Sequence, residues 1–130
     1  MDYVIIKGKK FPVELAISSE EQQRGLMYKD PPLYAVAFPY ARPQFNSFWM
    51  SNVRAPLDIV FSLKGKVSSI WKGEPYSTSI IGGRDPSDLI LEFPYGVVKA
   101  EGITVGDNIN LELSKDAEMK ILMLKTGLIF

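Results

Sequence analysis

Residues 57–71 read Leu57-Asp58-Ile59-Val60-Phe61-Ser62-Leu63-Lys64-Gly65-Lys66-Val67-Ser68-Ser69-Ile70-Trp71, and this stretch decides the fold class. Leu57, Ile59, Phe61 and Leu63 share one parity and Asp58, Val60 and Ser62 the other, the period-two signature of a strand. Lys64-Gly65 stands where a two-residue hairpin turn belongs, and Val67 to Trp71 forms the return strand.

The same period recurs on both sides of the hairpin. Phe11, Val13, Leu15 and Ile17 alternate, with Pro12 predicting a strand at a sheet edge or one that begins outside the ladder. Tyr34 to Phe38 reads as a buried apolar strand, 39–43 as irregular chain, and Phe45 to Asn52 as an aromatic-rich strand. Downstream, Leu89, Leu91 and Phe93 alternate before the turn Pro94-Tyr95-Gly96, and Ile109, Leu111 and Leu113 alternate again. Met119 to Lys125 reads as a last strand. Between these, Gly73 to Ser87 is the longest aperiodic stretch and Asp30-Pro31-Pro32 a loop. Val97 to Glu101 forms one helical turn ended by Gly102.

The clearest helix start lies near residues 19–25. Ser19 with Gln22 three positions on fits a capping box, Glu20 and Glu21 suit the positive end of the helix dipole, and Gly25 closes the helix. The pattern predicts a mainly β (β-rich α+β) domain spanning 1–130: an antiparallel barrel-like roll or sandwich of about eight short strands, with one short helix plugging an end.

Composition narrows the chemistry. At 130 residues, 46% apolar and 12% aromatic, the chain suffices for one self-supporting core. Fifteen basic and fifteen acidic residues cancel, leaving no global field for nucleic acid and no basic run for a membrane surface. The chain has no Cys and no His, which excludes disulfides, thiolate chemistry, Ser-His-Asp triads and histidine-ligated metals. No metal or cofactor is therefore expected. Met1-Asp2-Tyr3-Val4-Ile5-Ile6 enters strand-like sequence directly, without a leader pattern, and no uncharged run approaches a membrane span, so the expected location is cytoplasmic.

Several segments carry a family resemblance together: Arg24-Gly25-Leu26-Met27; Phe48-Trp49-Met50-Ser51-Asn52; Ala55-Pro56-Leu57-Asp58-Ile59; Leu89-Ile90-Leu91-Glu92 followed by Gly96; Gly102-Ile103; and Gly106-Asp107-Asn108-Ile109. In this order and spacing, over about residues 11–113, the chain resembles the domain of unknown function family 192. The resemblance implies a compact β-rich fold and no established activity. Residues 114–130 stand outside it as a C-terminal strand extension. Ser51 and Val53 depart from the family's usual lysine and small polar residue.

Arg24, Trp49, Asn52, Asp58, Thr78 and Glu92 are the candidate pocket residues. Trp49 reads as a core or rim aromatic, or as the wall of a pocket. Asp58 reads as an ion pair with Arg24 or Arg54, as a turn hydrogen bond, or as one of two acids converging with Glu92. Arg24 has the same two readings, structural or functional. Thr78 lies in Ser77-Thr78-Ser79-Ile80-Ile81-Gly82-Gly83-Arg84, a surface loop or an anion cradle. Asp107 reads as a turn residue bonding nearby amides. The expected function is a non-catalytic module binding a protein partner or small ligand. The alternative is a carboxylate-dependent hydrolase or metal-assisted enzyme using Asp58 and Glu92. The apolar run Ile121 to Leu124, with Leu128 to Phe130, predicts self-association or docking.

Overall fold

The hairpin around Lys64-Gly65 forms as the alternation predicts. The computed structural model describes residues 1–27 and 35–128; the loop expected at Asp30-Pro31-Pro32, the strand start at Tyr34 and the end of the tail at Ile129-Phe130 lie outside the described residues. Strands β4 (Leu57–Leu63) and β5 (Lys66–Gly73) pair antiparallel. Lys64 and Gly65 both take positive φ, 50° and 77°, the backbone that matches the twist of the strands they join.

Among the described residues five further strands join the same sheet: β1 (Tyr3–Ile6), β2 (Lys9–Leu15), β3 (Ala35–Phe48), β6 (Ile81–Pro94) and β7 (Ile109–Glu112). The order is β5-β4-β6-β3-β2-β1-β7, curled into a half-barrel. Among the described residues three short helices accompany it, α1 (Ser19–Arg24), α2 (Val97–Glu101) and α3 (Lys115–Thr126). The mainly β expectation holds. The strand pairs of the sheet are antiparallel except one, since β2 and β3 run parallel, Val13 opposite Ala35, which makes the sheet mixed. A parallel pair needs a crossover connection, and α1 lies on it.

Other details differ from the sequence reading for identifiable reasons. β3 is one strand through Phe48: its middle is carried by shifts of register against β6 between Pro39 and Gln44 and between Phe45 and Ser47. Residues 49–52 then leave the sheet. The aperiodic stretch shrinks to 74–80, since Gly82, Gly83 and Pro86 all lie within β6. Pro12 sits in an interior strand, paired with Tyr3. Val13 donates its N–H to Asp2 O on the β1 side, so the nitrogen of Pro12 points to the β3 side, where pairing begins only at Val13.

The capping box is set one residue earlier than predicted. Ser18 Oγ accepts from Glu21 N at 3.1 Å, and Glu21 Oε1 accepts from Ser18 N at 3.0 Å. Gln22 instead donates to Ala16 O and Pro39 O, at 3.0 and 2.9 Å, tying α1 to β3.

The expected last strand, Met119 to Lys125, is the helix α3. Ser114 Oγ accepts from Ala117 N, Asp116 and Glu118 occupy the first turn, Lys125 the last, and Gly127 at φ 73° ends it. These are ordinary helix start and stop signals. The run of apolar residues obscured them. α3 lies against β3. No helix among the described residues is long and apolar enough to cross a membrane.

The two faces of the sheet carry separate cores. Val13, Ala37, Val60, Leu91 and Phe93 pack on one, with Phe11 edge-on to Phe93 at 5.6 Å. Phe38, Met50, Leu57, Ile59, Phe61 and Ile90 pack on the other, where Phe48 meets Phe38 at 5.4 Å and Phe61 at 6.0 Å.

Gly82 is where the second core meets the backbone. At φ 78°, a Cβ there would lie 2.3 Å from Phe61 Cζ. Gly82→Ala therefore combines left-handed strain with an overlap onto a buried ring, and lowers stability by about 3 kcal/mol. Gly106, at φ 94° with open space around it, meets only the strain. Gly106→Ala costs about 1 kcal/mol, and urea unfolding of the two variants measures the difference.

Candidate functional site

A cavity of about 510 Å³ opens where the end of α1 meets the second core. Its walls come from Gln22, Arg24, Gly25, Leu26 and Met27 around the helix end, Tyr40, Phe48 and Trp49 in and after β3, Val53, Ile80, and Glu92 of β6. Sheet register explains this set. Glu92 pairs with Val36 and with Ile59, so its side chain falls on the same face as Val36, Phe38 and Tyr40.

Glu92 is 5% exposed. Among the described residues no group hydrogen-bonds its carboxylate. The bare Cα of Gly25 (φ 47°) leaves room beside it: a Cβ there would stand 3.8 Å from Glu92 Oε1. Burial disfavours the charged carboxylate and pushes its pKa from the ordinary 4.5 up to about 7. Tyr40 is pushed to about 12, first by burial and then by the nearby Glu92 charge. The phenol is thus a fixed hydrogen-bond donor at neutral pH, while Glu92 titrates there. Glu92 can exchange a proton with a bound molecule, and Tyr40 can donate a hydrogen bond to it.

The six residues expected to share a site divide evenly. Arg24, Trp49 and Glu92 line the cavity. Arg24 is at the exposed rim, its Nη2 2.7 Å from Glu20 Oε1 one helical turn back. Trp49, 49% exposed, stands at the mouth.

Asn52, Asp58 and Thr78 are elsewhere. Asn52 takes φ 60° in the turn leading to β4, a conformation asparagine tolerates better than most; Val53 N closes that turn on Met50 O. Thr78 is exposed in the 74–80 loop. That placement matches the surface-loop reading of the segment, and Gly82 and Gly83 belong to β6 rather than to the loop.

Asp58 pairs with Phe93 while Ile59 pairs with Glu92, so Asp58 and Glu92 project from opposite faces of the sheet. The alternative reading, in which the two acids converge on one pocket, is therefore not met. Asp58 Oδ2 accepts from Gly96 N at 2.9 Å and Val98 N at 3.0 Å, which fixes the start of α2. Its partners are backbone amides, the turn hydrogen bond among the three readings. Asp107 likewise accepts from Thr104 N at 2.8 Å. No cluster of three potential acidic metal ligands occurs among the described residues.

Tyr40, Met27, Val53 and Ile80 are cavity residues the sequence reading did not select. Tyr40 shares the parity of Val36 and Phe38, which was a visible signal. Its proximity to Glu92 follows from strand order, which periodicity does not encode.

The buried carboxyl sets a pH dependence. Because the folded-state pKa of Glu92 is raised, the native chain holds the proton more tightly than the unfolded chain. Its burial is tolerated below pH ~4.5 and opposes folding increasingly as pH rises to ~7, by up to ~3 kcal/mol. With no histidine in the chain, few other groups titrate in that interval. Urea unfolding from pH ~5 to ~8 will show wild-type stability falling by about that much, while Glu92→Gln stays nearly flat and is the more stable protein at pH ~8.

Comparison with known proteins places this geometry in context. No curated protein matches the chain. A crystal structure of a protein of unknown function from Novosphingobium aromaticivorans DSM 12444 superposes with a TM-score of 0.77 at 30% identity, over 83% of this chain and 83% of that one. A Sinorhizobium meliloti 1021 protein described as a candidate transcription regulator superposes with a TM-score of 0.75 at 29% identity, over 84% of this chain and 90% of that one. The family model of DUF192, described as an uncharacterized ACR, matches residues 3–111. That match takes in β1, begins earlier than the motifs quoted above and stops short of α3. The chain belongs to the DUF192 family.

Proposed function

We propose that this protein is a non-catalytic module that binds a small ligand in the cavity between α1 and the sheet. The observation that carries the proposal is the pairing of a ligand-sized space with one nearly buried carboxylate at its wall that no group among the described residues hydrogen-bonds. Small-ligand sites fall at roughly 300–1,000 Å³, with apolar walls and a few convergent polar groups. Leu26, Met27, Phe48, Trp49, Val53 and Ile80 supply the walls here; Gln22, Tyr40 and Glu92 supply the polar groups. A hydrolase that pairs Asp58 with Glu92 is not proposed, since those two carboxylates do not meet.

Trp49 is the natural reporter. The other tryptophan, Trp71, lies on β5 with its indole N–H donating to Ser69 Oγ at 3.1 Å, and it does not line the cavity. A panel of aromatic fragments of about 10–15 non-hydrogen atoms, screened by two-dimensional NMR, will shift the Trp49 indole resonance and leave that of Trp71. Trp71→Phe assigns the two signals. Ile80 is 68% exposed, so Ile80→Asp leaves stability within about 0.5 kcal/mol yet weakens those fragments. Hits that move Trp71 or α3 instead, or that ignore Ile80→Asp, would sink the proposal.

A protein partner is the second reading, and a different surface favours it. Met119 and Leu122 on α3 and Leu128 just beyond it are exposed apolar side chains of the kind that self-association covers. On this reading, sedimentation across a concentration series finds a dimer for the wild type and a monomer for Met119→Lys/Leu122→Lys. A wild type that is monomeric throughout removes it.

A further inference from the structure

The cavity has features that specify its ligand's chemistry beyond size. Three aromatic side chains, Tyr40, Phe48 and Trp49, line the same space as the Glu92 carboxylate. Aromatic faces attract cations through the ring quadrupole, most strongly where water is excluded. A buried carboxylate without a partner is costly until a positive charge or a strong donor reaches it. The cation already on the wall does not meet that need, because Arg24 sits at the exposed rim with its guanidinium on Glu20. The other titratable group lining the space, Tyr40, contributes a neutral hydroxyl.

From this arrangement we infer that the ligand is an organic ammonium with an apolar body: its N–H groups pair with Glu92 beside Gly25, and its apolar part lies against Trp49, Met27 and Ile80. This deepens the small-ligand reading and rests on it. An anionic ligand would meet the carboxylate with no free cation among the described lining residues to offset it. A neutral apolar ligand would strip water from Glu92 and return nothing to it. An ammonium satisfies the acid, uses the aromatic walls and leaves the Arg24–Glu20 pair intact. Binding selects the ionised carboxylate, so the complex releases the proton that Glu92 holds in part near neutral pH.

The test uses three isosteres on the full chain, benzylamine, benzyl alcohol and benzoate, with the Trp49 indole resonance as readout. Benzylamine binds at least about tenfold more tightly than either of the others, and its affinity rises as pH goes from ~5 to ~8 before levelling off. Glu92→Gln weakens benzylamine by about tenfold, changes benzyl alcohol by less than about threefold and abolishes the pH dependence. That variant is expected to fold, since it removes a buried charge and keeps the shape. If benzyl alcohol or benzoate moves Trp49 as strongly as benzylamine does, the ammonium inference is overturned while the small-ligand reading stands. Benzylamine binding that is insensitive to both pH and Glu92→Gln overturns it as well, as does failure of all three probes to shift Trp49 at millimolar concentration.

Discussion

Strand β6 is bonded on one edge to β3 and on the other to β4, and the rest of the molecule is arranged around that double pairing. It joins the central hairpin to the β3-β2-β1-β7 half of the sheet, and both cores contain β6 residues, Leu91 and Phe93 in one and Ile81 and Ile90 in the other. The close approach at Gly82 lets Phe61 lie flush on the backbone, while Ile90 and Leu91 are fully buried on opposite faces. A slip of β6 by one residue would exchange those faces and turn Glu92 into the other core. The register is therefore held by burial on both sides, a stronger constraint than any single hydrogen bond.

Much of this was legible in the sequence because it depends on neighbours in the chain. The β4–β5 hairpin, the short helix α2 with Gly102 behind it, and the turn at Asp107 follow from period, turn chemistry and glycine placement. What was missed is instead decided by distant partners. Register shifts opposite β6 carry β3 past its prolines. The parallel pairing of β2 with β3 depends on a crossover that periodicity does not reveal. α3 was misread for another reason: Ile121-Leu122-Met123-Leu124 satisfies strand and helix periods equally, and the deciding signals, Ser114 before it and Gly127 after it, were local and present. Capping chemistry outranks an ambiguous apolar run.

The candidate site was legible in parts for the same reason. Arg24, Trp49 and Glu92 come from three segments, and their meeting depends on strand order and on the turn of the chain at Gly25. Sequence reading nominated all three. It could not reject Asp58, Asn52 or Thr78, nor promote Tyr40 and Ile80, because the face on which a side chain emerges is settled by pairing. Asp58 and Glu92 are one rung apart in register, yet that rung separates two sides of a sheet.

The contrast between these two acids carries the functional argument. Each is nearly buried, at 7% and 5% exposure, and each faces the cost of removing a carboxylate from water. Asp58 recovers that cost internally through two backbone amides at the start of α2, and its role is complete within the fold. Glu92 has no such partners among the described residues, and its burial works against folding as pH rises. A glutamine of the same shape would serve the sheet as well without that penalty. A destabilising charge on the wall of a cavity is understandable when the partner that satisfies it comes from outside the chain. By that reasoning the structural acid of the family-like motifs is Asp58, and the acid available to a ligand is Glu92.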